Sequence, residues 1–403
     1  MDLLEVKSLD EAINIQVEAM ERLNFKKIVK KNILDSKGYI LAEDLISKED
    51  LPHFRKSTMD GFALAYKDSQ GANDTISSIM KIKETIEIGQ VPKSEILSGE
   101  CSRIFTGGML PNGADCVIPV EYTEDISDKL VAINKPMSYL SNVIDIGDDG
   151  KKGDIYAKKG TLIDSKLIAM AASIGYENIE VYEKLKALVI STGDEIIDIN
   201  ERLVDAKVRN VNSYMVKSLL EDLPIQVIEE KLVRDRKELI EKELKRDVDI
   251  IMISGSSSKG NKDFVPEISK NLKPGNLFHG ISLKPGKPTS LSINNKTMIV
   301  GLPGNPISAY VSFKVFFEKA FNIYFGINEL FKIKCIIDSN IPTSGREEIK
   351  LLSLKNKGEQ LIASPIFGFS NNLSMLKDAD AYVRIDKNTE GIKKGEYIEV
   401  SLL

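Results

Sequence analysis

The sequence predicts a multidomain α/β protein with a doubly wound parallel sheet as one of its domains. The chain has 403 residues, more than one ordinary hydrophobic core accommodates, so two to four domains are expected. Residues 186–326 alternate apolar strands with amphipathic helices, which is the pattern of right-handed βαβ units. Residues 51–139 and the tail from 327 instead have short apolar runs broken by Gly, Pro and Asn, typical of small β domains.

The first segment of the chain is predicted to be helical. Residues 9–33 carry apolar side chains every three or four positions, which predicts an amphipathic helix capped by Ser8 or Asp10. A helical pattern returns at 164–174, after the first β-rich segment. We therefore expect the β-rich segment to be an insertion whose flanks belong to one elongated helical module.

Four strands and four helices are predicted in the doubly wound region. The strands are KALVIS, PIQVIEEKLV, DIIMIS and KTMIVGL, and the helices are SYMVKSLLED, RDRKELIEKELKRD, FVPEISKNL and NPISAYVSFKVFFEKAF. In such sheets ligands bind beyond the carboxyl ends of the strands. Three glycine-containing loops follow strands here, namely STGDE at 191–195, SGSSSKG at 254–260 and LPGNP at 302–306, and a fourth, KPGKP at 284–288, is close in sequence.

These loops have the chemistry of a site for a phosphorylated anion. Gly255 and Gly260 allow consecutive backbone N–H groups to face one point. Lys284 and Lys287 are held three positions apart on a Pro/Gly turn, where an anion would relieve their repulsion, although an exposed turn with solvated lysines is the alternative. Glu195, like Asp194 beside it, could be a metal ligand, a base or a helix cap.

Composition excludes several functional classes. The formal charge of −5 argues against nonspecific nucleic-acid binding. Three cysteines without a CxxC pair and two histidines make a zinc site improbable, so any metal is expected to be Mg²⁺ on carboxylates, and the thiols to be buried. We find neither a secretory signal nor an apolar stretch long enough to cross a membrane, so we expect a cytoplasmic protein without a membrane partner.

Other conspicuous residues are expected to be structural. His279 is predicted to pack or turn rather than act as a base, and the phenylalanines at 313, 316, 317 and 321 have the helical spacing of core residues. Taken singly, the MDG turn at 59–61 and the TGG turn at 106–108 predict no more than hairpin turns.

In this order, the segments resemble the molybdopterin molybdenumtransferase (MoeA) family, to which the E domain of gephyrin is related. The resemblance is carried by STMDGFA (57–63), FTGGMLPNGADCVIPVE (105–121), GDD (147–149), VISTGDE (189–195), SGSSSKGNKDF (254–264), KPGKP (284–288) and GLPGNPISA (301–309). It implies four parts: an elongated helical module (1–50 and 140–182), an inserted β domain (51–139), a MogA-like doubly wound domain that binds molybdopterin (183–326) and a C-terminal β barrel (327–403). It also implies a homodimer in which the MDG and TGG turns complete a shared active site in trans.

The reaction implied by the resemblance joins molybdate to adenylylated molybdopterin, with magnesium-assisted release of AMP. A molybdopterin adenylyltransferase would be the upstream partner. By resemblance, the catalytic carboxylates are Asp60, Asp149, Glu195 and Asp263, of which Asp60, Glu195 and Asp263 would bind Mg²⁺. The implied substrate-binding residues are Thr106, Thr192, Ser258, Gly260, Pro303 and Asn305. The implied molybdate-binding residues are Lys284, Lys287, Pro288, Ser308, Arg346 and Ser370.

The chain departs from the family pattern at three places. Ile144 stands where an arginine is expected, the Ser-rich loop at 254–260 loses a glycine and gains Lys259, and the usual DSN appears as Asn210, Val211 and Asn212. A noncatalytic protein that binds the pterin as a sensor or scaffold is therefore an alternative hypothesis. An enzyme that prefers tungstate is another, because the two oxyanions have nearly the same size and charge.

Overall fold

Residues 6–255, 264–327, 332–369 and 371–403 are described by the computed structural model, and they divide into two compact units. One unit, the sheet-and-barrel unit, contains the described residues up to Glu43 together with Lys159–Ser165 and Asn178–Leu403. The other, the inserted unit, contains Asp44–Lys158 and Lys166–Glu177. The four predicted domain boundaries stay predictions.

The N-terminal helix is shorter than the sequence pattern suggests. It spans Leu9–Leu23 and begins with a capping box, in which the Glu11 N–H donates to Ser8 Oγ over 3.3 Å and the Ser8 N–H donates to Glu11 Oε2 over 2.8 Å. Asn24 ends it in the left-handed conformation, with φ of 53°. The prediction of a helix to residue 33 was therefore wrong, because Ile28–Asn32 is a strand.

That strand belongs to a small sheet that the sequence pattern did not predict. It pairs antiparallel with Asn178–Tyr182, which also pairs with Ile40–Leu41. The predicted helix at 164–174 is present as Ser165–Ser173.

The doubly wound region forms a six-stranded sheet. In spatial order its strands are Ile225–Val233, Leu185–Thr192, Ile250–Ser254, Thr297–Leu302, Ser290–Asn294 and Pro274–His279. The first four strands are parallel, as predicted, and the last two are added antiparallel. The helices of this region are Asn212–Glu221, Lys237–Leu244, Phe264–Ser269 and a continuous helical segment from Pro306–Ser312 through a π turn at Phe313–Glu318 to Lys319–Phe325.

Both faces of this sheet are buried, which explains the apolar runs. Leu188 and Ile190 of one strand belong to one buried cluster, whereas Ala187 and Val189 of the same strand belong to another. Alternation of side chains along a strand requires this division when helices cover both faces. The phenylalanine cluster lies in the second of these cores, and each of its four rings is fully buried, which confirms the prediction of core packing.

The C-terminal region forms a closed five-stranded barrel, as the resemblance implies. The strands around the barrel are Ile333–Ile337, Gln360–Pro365, Glu348–Lys357, Ala381–Ile385 and Tyr397–Leu402. Its interior is an apolar cluster that includes Ile337, Leu352 and Val400, each fully buried. Further along the chain, a short 3₁₀ helix, Leu373–Asp378, precedes the strand Ala381–Ile385.

The inserted unit is built on a second six-stranded sheet. In spatial order its strands are Cys116–Pro119, Gly61–Leu64, Glu100–Ile104, Ser78–Ile86, Leu130–Ile133 and Thr123–Ser127. Two short ladders accompany the sheet, Lys56–Ser57 with Val143–Ile144 and Leu45–Ile46 with Ile155–Ala157.

The cysteines are buried and reduced, as expected. Burial raises the pKa of the Cys101 and Cys116 thiols to about 12, so neither is a thiolate at neutral pH. Cys335 is buried in the barrel, and burial raises the pKa of its thiol as well. Across the described residues, no helix combines the length and apolar character needed to span a bilayer.

Candidate active site

Three strand ends meet at one edge of the doubly wound sheet. Ser191 pairs with Ser254, which in turn pairs with Leu302 on the next strand. The segments that follow these strands therefore start side by side, as the sequence predicts. Ser258, Gly260 and Asp263, which were predicted to bind substrate or metal, lie outside the described residues.

A buried hydroxyl network fixes two of these strand ends to the helix Asn212–Glu221. Ser213 Oγ donates to Ser191 Oγ over 2.8 Å, and Ser191 Oγ lies 3.3 Å from Ser254 Oγ. All three serines are buried. Because each hydroxyl finds its partner on a different element, the network holds the strand ends and the helix start in one arrangement.

Gly255 is required by the close approach of two loops. Its φ of +108° is unfavourable for other residues, and a Cβ there would lie 1.9 Å from the carbonyl oxygen of Thr192. A Cβ on Gly304 would lie 3.4 Å from the Gly255 Cα, which is ordinary contact. The three loops thus touch through their backbones directly beyond the sheet, and Thr192 is buried beneath them.

A cavity of about 780 Å³ opens at this edge. It is lined by Glu195, Arg209, Asn212, Gly255, Pro303 and Asn305, among others. The structure therefore brings together three of the predicted residues, Glu195, Pro303 and Asn305. Arg209 adds a cation that the sequence analysis did not identify, and its Nε donates to the Ile199 carbonyl over 3.2 Å.

Asn210 and Asn212, at the position of the usual DSN, have separate structural roles. Asn210 Oδ1 accepts a hydrogen bond of 3.2 Å from the Ser213 N–H in the first turn of the helix. Asn212 Nδ2 donates to the Gly304 carbonyl over 2.8 Å and joins its helix to the loop after Leu302. Both asparagines therefore help to fix the start of this helix, one within its own segment and one against the loop after Leu302.

Asp235 is a further carboxylate at this edge of the sheet that the sequence analysis missed. It follows Val233, the end of the fourth parallel strand, so it lies at the same edge of the sheet. Burial raises the pKa of the Asp235 carboxyl, and the negative charges of Asp194 and Glu195 raise it further. The strand-end rule that identified the other loops would also have identified this residue.

A second cavity, of about 420 Å³, is strongly cationic. The predicted molybdate-binding residues in the described range all line it, and Lys350 is a further cation in its wall. These lining residues are Lys284, Lys287, Pro288, Ser308, Arg346 and Lys350. Ser370, the remaining predicted residue, is not among the described residues.

The KPGKP turn that carries two of these lysines is tightly held. It connects the antiparallel strands Pro274–His279 and Ser290–Asn294, and Thr289 Oγ1 donates to the Gly286 carbonyl over 2.7 Å. A Cβ on Gly286 would lie 2.6 Å from Ser312 Oγ, so the turn packs directly on the helical segment that starts at Pro306. His279, at the end of the first strand, is half-buried, and burial lowers the pKa of its imidazole.

The two cavities adjoin. Pro288 and Ser308 line both of them. Ser308 lies in the first turn of the helix that starts at Pro306, where backbone N–H groups and the helix dipole favour an anion. An anion at this junction would be within reach of groups from both cavities.

In the inserted unit, Asp60 and Thr106 are brought together. Asp60 Oδ1 accepts hydrogen bonds of 2.7 Å from both the Thr106 N–H and the Thr106 hydroxyl, and these bonds lower the pKa of Asp60. Gly61 is glycine because a Cβ would lie 1.8 Å from the Ile118 carbonyl oxygen on the neighbouring strand. The MDG and TGG turns thus form one exposed acidic corner.

Asp149, the remaining predicted carboxylate of this unit, lies on a different turn. Its backbone N–H donates to the Leu51 carbonyl over 2.9 Å, and its side chain is exposed. Ile144, at the expected arginine position, pairs with Lys56. Arg55, beside that lysine, forms an ion pair of 2.7 Å with Asp145.

Comparison with known proteins accounts for nearly the whole chain. Residues 7–175 match the MoeA N-terminal region (domain I and II), 188–322 a probable molybdopterin binding domain and 338–403 the MoeA C-terminal region (domain IV). A molybdopterin molybdenumtransferase of Staphylococcus epidermidis is 31% identical over 96% of this chain and 94% of its own length. One of Staphylococcus aureus is 32% identical over 91% and 89%. The solved molybdopterin biosynthesis MoeA protein of Pyrococcus horikoshii is 26% identical with a TM-score of 0.83, covering 99% of this chain and all of that one.

Proposed function

The chain belongs to the MoeA family of molybdopterin molybdenumtransferases, and from this membership we propose that it joins molybdate to adenylylated molybdopterin with release of AMP. It is thus a transferase of molybdenum cofactor biosynthesis.

The observation that carries the proposal is the pair of adjoining cavities. The smaller has the cations, a hydroxyl group and a helix N-terminus that suit a tetrahedral dianion such as molybdate. The larger has the volume for a pterin and its phosphates, and its rim has both Glu195 and Arg209. Pro288 and Ser308 belong to both walls, so the oxyanion and the pterin would meet without crossing bulk solvent.

Two carboxylates at the sheet edge could hold a hard divalent cation only together with further oxygen ligands, because the described residues contain no cluster of three metal-binding side chains. Glu195 and Asp235 follow neighbouring parallel strands, and the pKa of Asp235 is raised first by burial and then by the negative charges of Asp194 and Glu195, which a bound cation would offset. Bound Mg²⁺ would shield the charge on the phosphates. In this arrangement Glu195 and Asp235 would hold the metal and orient water, while Arg209 would bind a phosphate oxygen. Asp60 and Asp263 are the further ligands that the family resemblance predicts.

We also propose that the protein acts as a cytoplasmic homodimer. The Asp60–Thr106 corner is exposed, which leaves its carboxylate available to a second subunit. A molybdopterin adenylyltransferase would supply the substrate, because the reaction consumes an adenylylated pterin.

The test is release of AMP from adenylylated molybdopterin by the purified protein with molybdate and Mg²⁺. Glu195→Gln should reduce the rate by about a hundredfold or more, since it removes a charge that positions metal and water. Asp205→Asn, which removes the same charge from an exposed turn of the same segment, is the matched control and should keep the wild-type rate. Folded wild-type protein that binds the pterin but releases no AMP would contradict the proposal and support a sensor or scaffold.

Metal preference is measured in the same reaction. When molybdate and tungstate compete, the metal content of the product shows which oxyanion the protein prefers. An excess of molybdenum in the product supports the proposal, whereas an excess of tungsten supports the tungstate alternative.

A further inference from the structure

A buried carboxylate lies behind the wall of the smaller cavity. Glu348 is the first residue of the barrel strand Glu348–Lys357 and is 1% exposed. It is not one of the residues that line the cavity, but its neighbours Arg346 and Lys350 are. A buried carboxylate needs several charged or polar partners, because an unpaired one would be costly to desolvate.

Two lysines and one serine are those partners. The Lys284 ammonium lies 3.1 Å from Glu348 Oε1, and the Lys350 ammonium lies 3.0 Å from Oε2. The Ser344 N–H also donates to Oε1, over 3.2 Å, and its hydroxyl donates to the same oxygen. Burial alone would raise the pKa of Glu348, but the hydrogen bonds from Ser344, Lys350 and Lys284 lower it to about 2.

The backbone ties the same two segments together. The Lys284 N–H donates to the Glu347 carbonyl and the Ile349 N–H donates to the Lys284 carbonyl, each over 2.9 Å. Lys284 is therefore fixed to the barrel through both its backbone and its ammonium group. Without these contacts the Lys284 side chain would be free to adopt many rotamers, because 52% of its surface is exposed.

The carboxylate leaves the cavity cationic. Four cations, Lys284, Lys287, Arg346 and Lys350, line the cavity, and Glu348 pairs with only two of them. Within the described ranges, the structure shows no ion pair for Lys287 or Arg346. A dianion in the cavity would thus meet Lys287 and Arg346, for which the described residues show no ion pair. It would also meet Lys284 and Lys350, whose ammonium groups Glu348 holds.

We propose that Glu348 is a positioning residue that holds the ammonium groups of Lys284 and Lys350 at the oxyanion cavity, and that Lys350 is a further oxyanion-binding residue. The inference rests on the proposed function in taking molybdate as the bound anion. Positioning matters because two mobile lysines would repel each other and would have to be ordered each time an anion binds.

The direction in which Glu348→Gln changes the affinity for molybdate distinguishes positioning from simple electrostatics. Glu348→Gln removes a negative charge behind an anion site, so charge alone predicts tighter binding of molybdate. If positioning dominates, the same substitution loosens both lysines and weakens binding by about tenfold, the equivalent of about 1.4 kcal/mol. Lys350→Met, which removes the cation and keeps the chain length, should also weaken binding by about tenfold.

The measurement is calorimetric titration of the wild-type protein and the variants with sodium molybdate at fixed ionic strength. Glu347→Gln is the matched control, because it removes the same charge from the preceding residue. The Glu347 carboxylate lies 2.6 Å from Arg384 Nε and pairs with that arginine, not with a cavity lysine. Its affinity for molybdate should stay within about twofold of wild type. In the AMP assay, Glu348→Gln should raise the KM for molybdate and leave kcat at saturating molybdate close to wild type.

Each outcome is decisive. Equal or tighter binding of molybdate by folded Glu348→Gln overturns the positioning role, and unchanged binding by Lys350→Met overturns the binding role. If Glu348→Gln does not fold, Glu348→Asp, which keeps the charge but withdraws it by one methylene from the two lysines, is titrated in its place, and unchanged molybdate binding by that variant overturns the positioning role. A wild-type protein that binds no molybdate overturns the proposed function and this inference together, whereas wild-type binding that neither substitution weakens overturns the inference alone.

Discussion

Replacement of Gly255 by alanine tests the arrangement of loops at the sheet edge. The added Cβ would lie 1.9 Å from the Thr192 carbonyl oxygen and 2.9 Å from its carbonyl carbon. Backbone atoms cannot rotate away as a flexible side chain can, so the loop after Ser254 or the end of the neighbouring strand has to move.

Two costs add to give the expected magnitude. The positive φ of +108° costs an alanine roughly 1–2 kcal/mol. Forced displacement of packed backbone costs roughly 1–3 kcal/mol more. The sum is about 2–5 kcal/mol, which for a unit of this size lowers its melting temperature by roughly 4–10 °C.

Scanning calorimetry of the Gly255→Ala variant measures this shift, with Gly395→Ala as control. Gly395 has a similar φ of +89°, but a Cβ there meets no atom within 4 Å, so the control isolates the conformational cost. The difference between the two variants gives the cost of the contact itself. If both variants melt within about 1 °C of each other, the close approach of Gly255 to Thr192 is refuted.

Two further predictions concern titrating groups. Because the folded-state pKa of Glu348 is lowered to about 2, its ion pairs stabilise the protein above the ordinary pKa of 4.5, and this contribution is lost as pH falls from there towards 2. The excess stability of wild type over Glu348→Gln in urea should therefore shrink below pH 4.5; a constant difference down to pH 3 would contradict it. Thr106→Val removes one of the two hydrogen bonds to Asp60, so NMR titration should show the Asp60 pKa moving up towards its ordinary value. An unchanged pKa would mean that the Thr106 hydroxyl does not donate in solution.

The parallel core of the doubly wound sheet could be predicted because its strands are buried on both faces. The sequence of a strand such as Ile250–Ser254 is then almost entirely apolar, whereas the sequence of a surface helix would include polar residues on its exposed side. The antiparallel strand Ser290–Asn294 was missed because it carries serines at buried positions. Ser292 is buried, and its Oγ donates to Ser269 Oγ over 3.0 Å and lies 3.4 Å from Asn276 Oδ1. These hydrogen bonds allow a polar side chain to be buried there.

The error near the N-terminus has a similar local cause. Ile28–Asn32 continues the helical spacing of the preceding residues, but Asn24 adopts a left-handed conformation that ends the helix. The strand then forms because Asn178–Tyr182 offers it a partner about 150 residues later. No local pattern contains that information.

Residues of the candidate site could be predicted from local sequence patterns where a loop follows an apolar strand, but not where they lie in the barrel. Glu195 and Pro303 were found by this rule, and Asp235 follows it too, although its RDRK context was interpreted as the start of a helix. Lys350 and Glu348 carry no such signal. Lys350 lines the cavity, and Glu348 lies behind its wall, where it contacts Lys284, 64 positions earlier in sequence. Only the folded barrel creates that contact.

The smaller cavity is lined by residues from two distant parts of the chain, which determines when it can form during protein synthesis. Its cations come from the sheet loop at Lys284 and from the barrel residues Arg346 and Lys350, and Met375 also lines it. A ribosome delivers the chain from the N-terminus, so domains form in that order during synthesis. The smaller cavity therefore closes only after the barrel residues have emerged, and under the proposed function a nascent or truncated chain that lacks them should not sequester molybdate.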